Sequence, residues 1–175
     1  MIKSIVLVVL AAVVLVLAYA ATRADSFRVE RSTRIKAAPE RVFALINDLT
    51  RMRAWNPFEK KDPGLKGQFG TTTAGAGASY AWQSEKVGVG SMTILESTAP
   101  SSVKMRLDFI KPFAAQNMAE YTLKAEGETT QVTWAMYGPA PFSTKLMQVF
   151  ISMDRMVGKD FEDGLANLKT LAETP

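Results

Sequence analysis

The chain has 175 residues, 47% of them hydrophobic and 22% charged, with a net charge of +4, which is the profile of one ordinary globular domain and not of a disordered or fibrous chain. It contains no Cys and no His, and this removes a Cys nucleophile, a His general base, a Ser-His-Asp triad, a disulfide framework and the usual zinc sites. Beyond residues 1–24, which carry Lys3, Arg23 and no acid, the excess falls to +2. The remaining bases interleave with acids, as in Glu59-Lys60-Lys61-Asp62, and read as a solvated surface with no nucleic-acid footprint.

The uncharged run from Ile5 to Ala21 is just long enough, at about 17 residues, to span a bilayer. Residues 1–24 are read as an N-terminal transmembrane anchor, placing a single-pass protein at the cell membrane with one domain over residues 25–175. Ala18-Tyr19-Ala20 also fits a signal-peptide cleavage pattern, so an export signal is the alternative. Arg23, Arg28, Arg31, Arg34 and Lys36 follow the run while only Lys3 precedes it, and long domains translocate regardless of such bias, so the side of the domain stays open.

Phe27, Val29, Thr33, Ile35 and Ala37 alternate with polar residues, Arg31 being the exception, which predicts a strand with one wet face. Pro39 suits the first turn of a short helix with Val42, Phe43, Ile46 and Leu49 on one stripe. Thr50 is the expected cap of a second helix carrying Met52 and Trp55, ended by Asn56-Pro57. Residues 62–77 hold five glycines and read as turns, with at most one short strand near Phe69. Strand-like runs follow at 78–84, 88–97, 103–110, 118–125 and 131–137, joined by connections too short for parallel crossovers, hence antiparallel. Ser143 is the expected cap of one long C-terminal helix in which Leu146, Phe150, Met153, Val157, Phe161, Leu165, Leu168 and Leu171 make a continuous apolar face.

In this order of elements, the stretches RSTRIKAAPERVFALINDLTRMRAWNPF, WQSEKVGVGSMTI, TTQVTWAMYG and GKDFEDGLANLK resemble the START-like or Bet v 1-like superfamily (SRPBCC) in its bacterial polyketide cyclase/dehydrase-like branch, over nearly the whole chain after residue 25. The resemblance implies an α+β helix-grip fold: a curved antiparallel sheet wraps the long C-terminal helix and encloses a cavity. It also implies that Trp55 and Phe58 stand at the cavity wall or under its rim, against the alternative that they fill the core.

Alternation then supplies candidate lining residues. Met105 and Phe109 share a strand face with Val103 and Leu107, Trp134 and Met136 share one with Val132, and Tyr121 pairs with Leu123, while Trp82 and Met92 come from the two earlier strands. A methionine-rich lining adapts to varied apolar shapes. The glycines at 75, 77, 88 and 90 complete neither a dinucleotide fingerprint nor a P-loop and are read as turns or bulges. Asp160, Glu162 and Asp163 read as the wet side of the last helix. Glu120 points away from Tyr121, whereas Glu96 shares parity with Met92 and faces inward unless a bulge intervenes.

No catalytic residue, metal site or cofactor is called for. The leading expectation is a membrane-tethered binding module for a hydrophobic small molecule or lipid. A polyketide cyclase-like enzyme and a structural or partner-binding module with a filled core are the alternatives, the enzyme resting on fold analogy alone. The ligand and any protein partner are not identified by the sequence.

Overall fold

The computed structural model describes residues 2–174. Helix α1 (Ile2–Ala21) is followed by β1 (Ser26–Ile35), three short helices α2 (Pro39–Asn47), α3 (Leu49–Trp55) and α4 (Pro57–Lys61), and strands β2 (Lys66–Phe69), β3 (Ser79–Ser84), β4 (Gly88–Thr98), β5 (Ser102–Lys111), β6 (Ala115–Glu126) and β7 (Thr129–Pro139). Helices α5 (Phe142–Phe150) and α6 (Met153–Glu173) complete the chain. The seven strands form one antiparallel sheet in the order β1-β7-β6-β5-β4-β3-β2. Hairpin connections keep β3 to β7 adjacent, and β1 returns to pair with β7. The sheet packs on α6, so this is the α+β helix-grip fold.

The alternation in β1 holds, and its exception has a purpose. Arg31 lies on the helix-facing side between Val29 and Ile35, where its guanidinium donates to Asp154 and Glu162 of α6, each at 2.8 Å. Those acids lie eight residues apart on one helix face, with Gly158 between them. A Cβ at Gly158 would stand 2.4 Å from Arg31 Nη2, so the glycine is the gap through which the arginine crosses the helix.

Several helix boundaries differ from the sequence expectation. Asp48, not Thr50, caps α3: its carboxylate accepts from the Thr50 N–H at 2.9 Å and the Thr50 hydroxyl at 2.6 Å. Leu49 therefore opens α3 instead of closing α2, although it is buried as expected. Asn56 does end α3, but its side chain then accepts from the Phe58 N–H and starts α4, with Pro57 in the first turn.

The long C-terminal helix is two helices. Ser143 caps nothing; α5 starts after Pro141 without a side-chain cap, ends at Phe150, and the extended Ile151 turns the chain. Ser152 then caps α6 by accepting from the Arg155 N–H. The apolar period continues across the break because both helices present apolar stripes, so periodicity alone does not reveal the interruption. Of these two helices only α6 packs on the sheet; α5 has no fully buried residue.

The tightest contact in the core joins α6 to β7 and α4. Trp134 stacks on Phe161 with ring centroids 4.1 Å apart and planes within 7°. A Cβ at Gly164 would lie 2.7 Å from Trp134 Cζ3 and 2.9 Å from Pro57 Cδ, both rigid ring atoms. Helix propensity alone gives Gly164→Ala a gain of about 1 kcal/mol. The predicted outcome in urea unfolding is the opposite sign, a loss of about 1–3 kcal/mol by overpacking. Trp134→Ala, which empties the same contact, is predicted to cost about 3–5 kcal/mol.

Candidate functional site

The register sorts the helix-facing side of the sheet into rows. Trp82 of β3, Gly90 of β4 and Phe109 of β5 form one; Tyr80, Met92, Leu107 and Asn117 the next. Ile94, Met105, Ala119, Met136 and Val29 follow, then Val103, Tyr121, Trp134 and Arg31. The nine candidate lining residues thus divide between two ends of the fold.

At one end the core is solid. Trp55 is buried, its indole N–H donates to the Leu45 carbonyl at 3.0 Å, and its ring stands edge-on to Tyr121 and Trp134 at 5.9 Å from each. Tyr121 packs beside Trp134 at 5.2 Å. Burial alone pushes the Tyr121 phenol well above its usual range, so it stays protonated. Met105 and Met136 are buried in the adjoining row. These five residues form one continuous cluster with Phe161 and Leu165.

The other end is looser. Phe58, Met92, Leu107, Phe109, Met153 and Val157 are only half-buried against the core. Trp82 is buried and meets Phe109 edge-on at 6.0 Å. Its ring lies over Gly90, where a Cβ would stand 2.6 Å from Trp82 Cζ2. A register shift between Val89 and Gly90 marks a bulge there, as the glycine pair suggests.

Two buried indole N–H groups, Trp82 Nε1 and Trp134 Nε1, have no hydrogen-bond partner among the described residues. Trp134 is held within the stack, while Trp82 stands among the half-buried side chains. A buried tryptophan normally finds an acceptor, so Trp82 supplies a free donor at the loose end.

Alternation also reaches a polar residue outside the strand range read from sequence. Asn117 shares parity with Tyr121 and Leu123, is buried, and sits against Gly138, whose Cβ would lie 2.2 Å from Asn117 Oδ1. It lies in the stretch after Pro112, Ala114 and Ala115 that the sequence reads as the connection before β6; carrying the parity of Tyr121 back through Ala119 identifies it. Glu96 faces outward: the register shifts between Ile94 and Glu96, and the carboxylate meets Lys104 across the strands.

Helix α4 closes the wall beside Trp82 and is held by polar contacts at each end. Glu59 accepts from Tyr80 at 2.5 Å and from Arg53 at 3.0 Å. Burial first, and then the Glu59 carboxylate, push the Tyr80 phenol up, so it acts as a donor and not as a base. Lys61 pairs with the buried Asp160 at 2.6 Å, and Asp62 accepts from Ser84 at 2.6 Å. Asp160 is therefore a clasp for α4 and not part of a purely wet face, as its sequence neighbours suggested. The neighbouring carboxylates Glu162 and Asp163 are exposed as expected.

Two surface cavities stand out. One, of about 520 Å³, lies among the end of α1, the start of β1 and the junction of α5 with α6, and includes Phe27, Val29, Gln148 and Met153. The other, of about 360 Å³, is walled by Arg41, Ala44, Leu45, Arg51, Leu171 and Thr174. Neither is lined by any of the nine candidate residues. Among the described residues no group of three or more Asp and Glu side chains is placed to hold a metal ion.

Solved structures share this architecture at low identity. Protein CV1439 from Chromobacterium violaceum is similar over 87% of this chain and 100% of its own, with 15% identity and a TM-score of 0.60. CalU16 from Micromonospora echinospora is similar over 86% of this chain and 78% of its own, with 16% identity and a TM-score of 0.57. Ara h 8.0201 covers 83% of this chain and 99% of its own at 11% identity, with a TM-score of 0.56. These likenesses establish the fold alone. No curated protein matches the chain. The sequence profile described as polyketide cyclase / dehydrase and lipid transport matches residues 26–173, from the first strand to the end of α6, and the chain belongs to that family.

Proposed function

We propose that residues 25–175 bind a hydrophobic small molecule or lipid between the sheet and α6, at the end walled by Phe58, Trp82, Met92, Leu107 and Phe109, and that residues 1–24 tether this domain to a membrane. The observation that carries the reading is the unpartnered indole N–H of Trp82. Leaving such a donor buried without an acceptor costs about 1–3 kcal/mol. An apolar ligand bearing a carbonyl, carboxylate or hydroxyl oxygen removes that cost while its hydrocarbon part covers the half-buried side chains. Such burial contributes about 25 cal/mol per Å², enough for micromolar binding with no charged group. Membership of a family that includes lipid transport supports the same reading, as does an N-terminal helix whose length and composition suit a membrane span.

The tight end has a separate role. Trp55, Tyr121, Trp134, Met105 and Met136 form the floor that stops a ligand from entering further, and the loose end receives it. Binding saturates, and no reaction is required of the site.

The experiment is a titration of a chain beginning at Asp25 with fatty acids, isoprenoids and an environment-sensitive dye, followed by tryptophan fluorescence. At least one oxygen-bearing apolar compound is predicted to saturate in the micromolar range. Trp82→Phe, which deletes the donor and keeps an aromatic ring, is predicted to weaken that binding roughly two- to twelvefold, the worth of one neutral hydrogen bond. It is also predicted to leave the unliganded melting temperature unchanged or raised. A panel in which nothing saturates contradicts the binding reading, and equal affinity in Trp82→Phe contradicts the role of the indole.

A further inference from the structure

The pairing register fixes which loops share an end of the sheet. Ser26 of β1 pairs with Pro139 of β7, Phe109 of β5 with Ala115 of β6, and Ser84 of β3 with Gly88 of β4. The start of β1, the β3–β4 turn and the β5–β6 turn therefore lie together, beside the loose end of the core. The α5–α6 junction joins them, because Ser152 and Met153 line one cavity with Ser26 and Phe27.

Helix α1 arrives at this same end. Four residues, Thr22 to Asp25, connect it to β1, a reach of at most about 14 Å. The last turn of α1 packs on α5: Ala20 is fully buried, and Lys145 of α5 pairs with Asp25 at 2.5 Å. The rest of α1 is bare, and its 20 residues make a helix long and apolar enough to cross a bilayer.

Exposed apolar side chains concentrate here as well. Among the described residues outside α1, large exposed hydrophobics occur at Leu95, Leu171 and six further positions: Ile110, Phe113, Phe142, Phe150, Ile151 and Met156. All six belong to this end, and Phe113 and Phe150 are 76% and 68% exposed. Lys111 and Arg155, both exposed, lie among them. An amphipathic helix without a single fully buried residue, beside a membrane-spanning length of helix and flanked by bare aromatics and cations, matches the chemistry of a bilayer interface.

We infer that this end is a docking surface for the bilayer in which α1 sits. Helix α5 lies along the headgroup region and the β5–β6 turn dips its Phe113 below it. The inference rests on the anchor and binding readings given above and adds where the ligand comes from. The loose end of the core opens toward the lipid, so the apolar ligand is a component of that bilayer, exchanged without crossing water.

The native absence of cysteine makes the test direct. Single substitutions Phe113→Cys, Phe150→Cys and, at the opposite end of the sheet in the β4–β5 turn, Ser101→Cys are labelled with an NBD fluorophore in the full chain. Each is reconstituted into vesicles of phosphatidylcholine and phosphatidylglycerol in equal parts, with and without lipid bearing a nitroxide high on its acyl chain. The expected result is blue-shifted emission and quenching several-fold stronger at positions 113 and 150 than at 101. Equal quenching at all three positions, or failure of the full chain to float with the vesicles, overturns the inference. Because labels at 113 and 150 report the surface independently, one variant that folds poorly leaves the other to decide. Saturable ligand binding without this depth pattern removes the docking surface and leaves the binding module; the depth pattern without saturable binding does the reverse.

Discussion

The stack of Trp134 on Phe161 is the constraint on which the rest of the fold depends. It presses α6 against the middle of β7, where Gly164 leaves no room for a side chain. On one side of the stack Trp55, Tyr121, Met105 and Met136 are buried in a solid cluster; toward Trp82 and Phe109 the side chains of both α6 and the sheet are only half-buried. The proposed ligand takes that less densely packed side, with the solid cluster as its floor.

Polar contacts fix α6 and α4 in place around the core. Arg31 ties the first turns of α6 to β1 through Asp154 and Glu162, which keeps the helix from lifting away. These partners are partly exposed, so the pair fixes position more than it adds stability. The Lys61–Asp160 pair is more enclosed and clasps α4 to the same helix, so Phe58 follows α6 as a unit. Glu59, held by Tyr80 and Arg53, attaches the far side of α4 to the sheet. The wall of the loose end is therefore jointed at α4, between two sets of charge-assisted bonds.

Much of this was legible in the sequence because period-two alternation and hairpin-length connections constrain a sheet strongly. Val103, Met105, Tyr121, Val132 and Trp134 fall on the inner face as their parity requires. Alternation gives the face of a residue but not the density around it, so it could not separate Trp134 in a stack from Trp82 at the loose end. Arg31 looked like a defect in a strand because its partners lie more than 120 residues away. Local chemistry was misread where two residues competed for one role: Asp48 outcompetes Thr50 as a cap because its carboxylate reaches both the N–H and the hydroxyl of Thr50. The break at Ile151 was hidden by apolar residues on both sides. That break turns α5 away from the sheet and toward α1, which is what the proposed membrane surface depends on.

The central claim is that an apolar molecule with a hydrogen-bond acceptor occupies the space beside Trp82. The most direct measurement is a native mass spectrum of the full chain extracted from membranes in mild detergent, compared with Leu107→Trp, which adds bulk in the adjoining row of the same half-buried side. The account predicts a bound species with the mass of an oxygen-bearing lipid or isoprenoid in the wild type and a bare chain in the variant. A bare wild-type chain, or the same adduct in both, contradicts it.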